Sequence, residues 1–189
     1  MIKVICGDAL EEMAKLPDHS IQAIITSPPW YDSNGNHDEE AVSTFRRNLF
    51  VEFARLLKPN GTVFFDTFRW EIDRTLLGEL KESGAVHCNK STILIATLDG
   101  TDMGTDTIDI ETSHMKRVNI DGRHCHHTAA FVSEVPYRCM LISSKPGDLV
   151  LDPFCGIGTV GIVANKIGRD AILIDYDPNS IFIAKRLTQ

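Results

Sequence analysis

Apolar and polar positions along this chain keep two alternating rhythms. Short runs at Lys3–Cys6, Ile21–Thr26, Thr62–Thr67 and Thr92–Thr97 are dense in β-branched and apolar residues, which predicts strands. Between them, Leu10, Met13 and Leu16 share one helical face over Ala9–Leu16. The longest amphipathic stretch is Glu39–Leu57. There Phe45, Leu49, Phe53, Leu56 and Leu57 follow a 3.6-residue period, and Lys58-Pro59-Asn60-Gly61 closes the helix. Further helices are predicted at Ile72–Ser83, Ser133–Ser143, Thr159–Ile167 and Pro178–Leu187, and further strands at Leu149–Leu151 and Ala171–Ile174. Strands alternating with helices predict an α/β fold on a parallel sheet. From residue 99 to about 127 the rhythm breaks. Residues 99–126, polar and rich in Thr, Asp and His, read as an insertion or long loop within a single domain spanning 1–189.

Composition narrows the class. A hydrophobic fraction of 43% is enough for one sizeable core in 189 residues. No apolar run reaches the roughly 18 residues of a membrane span, and the first residues lack a signal-peptide layout. The five cysteines are odd in number and form no CxxC pair, so free thiols and a cytoplasmic protein without membrane contact are expected. The net charge of −7 argues against coating nucleic acid at random, since phosphate binding requires local positive charge. Clustered cations could still supply it. Arg46 with Arg47 is one basic group, and Lys116, Arg117 and Arg123 form another inside the insertion. His114, His124, Cys125, His126 and His127 match no zinc spacing, because adjacent ligands rarely converge on one ion, so no metal is expected.

Two motifs carry chemistry. The first is Asp152-Pro153-Phe154-Cys155-Gly156-Ile157-Gly158-Thr159, a strand end running through glycines into a helix. Such a turn lets a ligand approach the backbone closely, and Asp175 at the end of the next strand could accept hydrogen bonds from ribose hydroxyls. Alone, Gly156 to Gly161 fits the GxGxxG spacing of dinucleotide binders and also fits a plain βα turn. The second is Ser27-Pro28-Pro29-Trp30, directly after a strand of buried type. Two prolines fix the backbone, so the Ser27 hydroxyl and the Pro28 carbonyl become two acceptors side by side, and the Trp30 indole offers a stacking face.

Together the motifs resemble the S-adenosylmethionine-dependent amino-methyltransferases of DNA, which make N4-methylcytosine and N6-methyladenine. Ser27-Pro28-Pro29-Trp30 looks like their catalytic motif, and Asp152, Phe154, Gly156, Gly158 and Thr159 fall in a stretch that looks like their cofactor loop. The catalytic motif precedes the cofactor loop here, which is the permuted order of the beta group. Asp8, in Cys6-Gly7-Asp8-Ala9-Leu10, matches the aspartate that meets the cofactor's adenine amino group. Phe131, in His127-Thr128-Ala129-Ala130-Phe131, falls in a segment similar to the one that closes over the cofactor, with Thr128 where a proline is usual. The resemblance implies a Rossmann-like methyltransferase fold, S-adenosylmethionine as cofactor and DNA as substrate. It implies methyl transfer to an exocyclic amino group of a flipped base, a serine at the head of the motif favouring cytosine N4 over adenine N6. Fewer than thirty residues stand where longer target-recognition regions are usual, so selectivity is expected to be narrow or completed by a homodimer partner. RNA as substrate, a nicotinamide oxidoreductase and an inactive DNA-binding protein are the competing readings.

Overall fold

The computed structural model describes residues 1–29, 38–67, 74–88, 91–108, 116–120, 123–127 and 132–189. Its strands, in chain order, begin with β1 (Ile2–Cys6), β2 (Ile21–Thr26), β3 (Leu57–Asp66), β4 (Lys81–Cys88) and β5 (Ser91–Thr97). They continue with β6 (Gly104–Ile108), β7 (Lys116–Ile120), β8 (Arg123–His127), β9 (Leu149–Asp152) and β10 (Asp170–Asp175). Eight of them form one sheet in the order β1-β10-β9-β2-β3-β5-β4-β6. A separate antiparallel ribbon pairs β7 with β8. The helices are α1 (Ala9–Met13), α2 (Glu39–Leu56), α3 (Glu134–Ser143), α4 (Thr159–Lys166) and α5 (Pro178–Leu187). Strands β1, β10, β9, β2 and β3 pair in parallel, and β5 alone among the eight runs against its neighbours.

Helices cover both faces, as the alternation predicts. On one side Phe45, Leu49, Phe50 and Phe53 of α2 and Met13 of α1 pack on Ile24, Val63, Phe65, Leu151 and Ile174. On the other, Val135 and Met140 of α3, Val160 and Val163 of α4 and Ile181 of α5 cover Ala23, Ile25, Phe64, Val150 and Leu173. Central strands buried on both faces read as continuous apolar runs, and every residue of Ile21–Thr26 is buried. Helix α2 starts where Asp38 accepts hydrogen bonds from the Glu40 and Ala41 amides at 3.1 Å, with Glu39 and Glu40 favourably placed in its first turn. Its aromatic residues interlock, Phe50 lying 5.8 Å from Phe53 and 4.9 Å from Phe65 between ring centroids. Truncating a core phenylalanine such as Phe53 to alanine should cost about 3–5 kcal/mol.

Three expectations fail for local reasons. The helix expected over Ile72–Ser83 is reduced to a single 3-10 turn, Arg74–Leu77, followed by strand β4. Leu76, Leu77 and Leu80 are buried and mimic a helical stripe, but Gly78 takes φ +60° and ends the turn. Lys58-Pro59-Asn60-Gly61, expected to close α2, already belongs to β3, which pairs at Ile21↔Leu57 and again from Ala23↔Thr62. The insertion is not a bare loop. Its first part becomes edge strand β6 beside β4, and its second part the β7–β8 ribbon. Val118 and Ile120 alternate in sequence with polar residues, a period-2 pattern too short to stand out from its polar surroundings.

Candidate active site

Parallel strands of an open α/β sheet present their carboxyl ends along one edge, and ligands bind in the crevice there. In this chain that edge collects Asp8 after β1, Asp175 ending β10, Asp152 ending β9, Ser27 after β2 and Asp66 ending β3. With strands about 4.8 Å apart, Asp175 and Ser27 follow strands roughly 10 Å apart, with β9 between them.

The glycine turn is built tightly. Gly158, at φ +84°, caps α4, and a Cβ there would stand 3.0 Å from the Ala184 Cβ. Gly161 lets α4 lie close on the sheet, since a Cβ would meet Leu173 Cδ1 at 2.4 Å. Gly158 therefore requires glycine, whereas a side chain at Gly161 would force Leu173 to move. The turn is held from β10, where Asp175 Oδ2 accepts from the Gly156 amide at 2.8 Å and Oδ1 from the Asp177 amide at 2.9 Å. These two bonds let the aspartate fix the course of the turn. Thr159 opens α4 and is partly exposed.

Asp8 lies beside this group, because Cys6 pairs with Asp175 and the Gly7 amide donates to the Asp175 carbonyl. One Asp8 oxygen caps α1 by accepting from the Glu11 amide at 3.1 Å. Between α1 and the first half of α2 lies a groove of about 480 Å³, walled by Leu10, Ala41, Thr44, Phe45 and Asn48. The Phe154 ring meets Phe45 edge to face at 6.1 Å. Tyr176, 65% exposed immediately after Asp175, is an aromatic at the same edge that the motifs do not single out. Its position directly after Asp175 is the signal that could have found it.

Asp152 is turned inward. Its side chain is buried, and Oδ1 accepts from Thr26 Oγ1 at 3.0 Å and from the Phe154 amide at 3.2 Å. It ties the end of β2 to the turn that follows β9. Burial pushes its pKa up to about 7, against those two hydrogen bonds, and the Asp175 charge adds to the rise. Burial, with the Asp152 and Asp175 charges, also holds the Cys155 thiol well above its ordinary value, so it is no thiolate nucleophile.

At the other end of the edge, Ser27 Oγ donates to Asp66 Oδ2 at 3.1 Å. Asp66 is a residue the sequence reading missed, since nothing in Phe64-Phe65-Asp66-Thr67 marks it until β3 is laid beside β2. Ser27, Pro28 and Pro29 are all partly exposed at the strand end, and no described residue donates to the Pro28 carbonyl. Trp30 and Phe131 lie outside the described residues, and for Lys116, Arg117 and Arg123 the structure gives the strand positions alone. Arg47 is exposed on α2, whereas Arg46 beside it is partly buried. No helix among the described residues is long and apolar enough to cross a membrane.

The chain's relatives carry the same architecture. A solved cytosine-N4-specific PvuII DNA methyltransferase superposes with a TM-score of 0.76 over 100% of this chain and 86% of its own, at 18% identity. A DNA modification methylase of Thermus thermophilus, solved with S-adenosyl-L-methionine, gives 0.71 over 98% and 94%, at 21% identity. The fold is that of the S-adenosylmethionine-dependent methyltransferases. Residues 104–186, which include the glycine turn and Asp175, match the DNA methylase family of N6 and N4 enzymes. The type II methyltransferase M.HinfI of Haemophilus influenzae is 24% identical over 97% of this chain and 67% of its own length. M.Cfr9I of Citrobacter freundii is 47% identical over 58 residues, which span 31% of this chain and only 19% of that relative. The kinship implied by the motifs is borne out: this chain is related to the N6/N4 DNA methylases.

Proposed function

We propose that this protein transfers a methyl group from S-adenosylmethionine to the exocyclic amino group of a base in DNA, with N4 of cytosine as the favoured target. The observation that carries the reading is the Ser27–Asp66 hydrogen bond, at a strand end one strand away from the end of β9, where the glycine turn begins.

The residues present fit the cofactor. The Asp175 carboxylate would receive the ribose hydroxyls, Asp8 the adenine amino group, and Leu10, Phe45 and Phe154 would supply apolar surface. Gly158 and Gly161 let α4 pack closely on α5 and the sheet, which keeps the turn at the head of α4 tight. Bound there, S-adenosylmethionine supplies an electrophilic sulfonium methyl group.

A base amino group is a weak nucleophile because its lone pair is delocalised into the ring. Ser27 Oγ and the Pro28 carbonyl accept its two protons and favour the pyramidal form, in which the lone pair is available. Since Ser27 gives its own proton to Asp66, its oxygen lone pairs face the amino group, and the carboxylate strengthens them as acceptors. When the nitrogen becomes cationic, Ser27 and Asp66 form a path for the departing proton. Much of the rate comes from holding nitrogen and methyl in line. The base leaves the helix stack to reach this edge, which costs a few kcal/mol, and Trp30 offsets part of it by stacking.

A nicotinamide oxidoreductase would use the glycine turn but leave the Ser27–Asp66 pair and its neighbouring carbonyl without a task. The test compares duplex DNA, single-stranded DNA and RNA of the same sequence, each incubated with tritiated cofactor. Label retained on DNA is expected. Label on RNA alone, or enhanced NADH fluorescence with no methyl transfer, would overturn the reading.

A further inference from the structure

We propose that Arg46 anchors a backbone phosphate of the DNA substrate beside the target base, an inference that rests on the DNA-methyltransferase reading above. Arg46 belongs to the buried stripe of α2. Val42, Leu49, Phe50 and Phe53, all buried, stand three, four or seven positions from it on the same helical face. Its Nε is enclosed and has no hydrogen-bond partner among the described residues. The guanidinium as a whole forms neither an ion pair nor a hydrogen bond with any of them, and burial alone shifts its proton affinity downward.

Among the described residues, the other two buried or half-buried arginines are paired. Arg55 donates to Glu52, Asp18 and the carbonyls of Leu16 and Met13. Arg169 donates to the carbonyls of Ile167 and Ser144 and to the Ser144 hydroxyl. A polar nitrogen shielded from water without a partner is destabilising, and among the described residues nothing shows what the fold gains from one at position 46. An anion arriving from outside would offset that penalty. A guanidinium fork suits a phosphate, which it can grip through two parallel hydrogen bonds.

Position identifies the anion. Helix α2 connects the parallel strands β2 and β3, so its amino-terminal end lies at the edge that carries Ser27 and Asp66. Phe50 packs on Phe65, the residue before Asp66. Arg46 is one turn nearer that edge, about 6 Å along the axis. The cofactor side of the helix is marked by Phe45 against Phe154, and Arg46 is rotated about 100° from Phe45 around the axis. It therefore belongs with the catalytic end of the edge rather than with the adenosine groove. A base drawn into that end brings its own backbone phosphates with it.

The experiment measures duplex-DNA binding across a salt series for wild type, Arg46→Met and Lys166→Met. Lys166 is an exposed cation in the last turn of α4, at the opposite edge of the sheet. Arg46→Met should weaken DNA binding about tenfold or more and reduce the slope of log affinity against log salt by about 0.9. Its DNA-free melting temperature should equal or exceed that of wild type, because an apolar side chain replaces one whose enclosed Nε has no partner among the described residues. Unchanged cofactor affinity shows that the variant folds, and Lys166→Met should leave the slope unaltered. An unaltered slope in Arg46→Met, or a lower melting temperature with unaltered DNA affinity, overturns the proposal. So does stabilisation of wild type by inorganic phosphate alone to the extent that duplex DNA gives. A wild type that transfers no methyl group to DNA would instead fail the parent reading, so the two failures are distinguishable.

Discussion

Ser27 donates its hydroxyl proton to a carboxylate oxygen of Asp66 at 3.1 Å, across the ends of two neighbouring parallel strands. The pair turns a serine into an acceptor with a defined direction. Replacing Ser27 with alanine should lower kcat by about two to four orders of magnitude, the range of a lost acid–base group. Asp66→Asn should lower kcat while leaving cofactor affinity near that of wild type, because Asp66 is remote from the glycine turn. Single-turnover methylation and calorimetric cofactor binding separate the two effects. Wild-type turnover in either variant would remove that residue from the chemistry.

Asp175 accepts from two amides of the chain while facing the proposed ribose site. Asp175→Ala should weaken S-adenosylmethionine binding by an order of magnitude or more, the scale of a lost charge-assisted hydrogen bond of about 1.5–3 kcal/mol. Unchanged affinity by calorimetry, with the fold intact, would exclude it as a cofactor ligand.

Asp152 makes stability depend on pH. Burial raises its pKa to about 7, whereas an aspartate in the unfolded chain titrates near 3.9. The folded state therefore binds this proton more tightly. The stability it contributes is full below about pH 4 and is lost as pH rises through about 7. Asp152→Asn keeps an acceptor for Thr26 and Phe154 but has no charge to lose. Its unfolding free energy should vary less between about pH 4 and 8 than that of wild type, as read by denaturant melts. Identical pH profiles would show that Asp152 is not buried as a neutral acid.

Most of the sheet was legible because its central strands are short, largely apolar and set apart by amphipathic helices. Ile21–Thr26 is found at its expected bounds. The glycine turn was legible because its spacing answers to backbone geometry, which the positive φ of Gly158 and the close approach at Gly161 make explicit. The sheet's far edge was not, because Leu76, Leu77 and Leu80 are spaced like a helix and only the glycines dissent. Asp66 and the inward turn of Asp152 are products of strand pairing between distant segments, which no local pattern encodes.

The β7–β8 ribbon carries Lys116, Arg117 and Arg123 against a chain charge of −7. If these cations meet phosphates, neutralising all three should flatten the salt dependence of DNA binding by roughly 0.9 in slope per lost contact. A triple variant with the wild-type slope would return them to solvent.

The most direct measurement is the identity of the methylated nucleoside. Duplex DNA is incubated with the protein and labelled S-adenosylmethionine, digested to nucleosides and resolved by mass spectrometry. A serine leads the Ser27–Trp30 motif, its hydroxyl oriented by Asp66, and either amino base could present its protons to it. The family association of serine with cytosine gives the choice, and the label is predicted in N4-methylcytosine. Label confined to N6-methyladenine would contradict the cytosine assignment while leaving amino-group transfer through Ser27 standing. Label in no nucleoside, from a folded protein that binds the cofactor, would contradict the account as a whole.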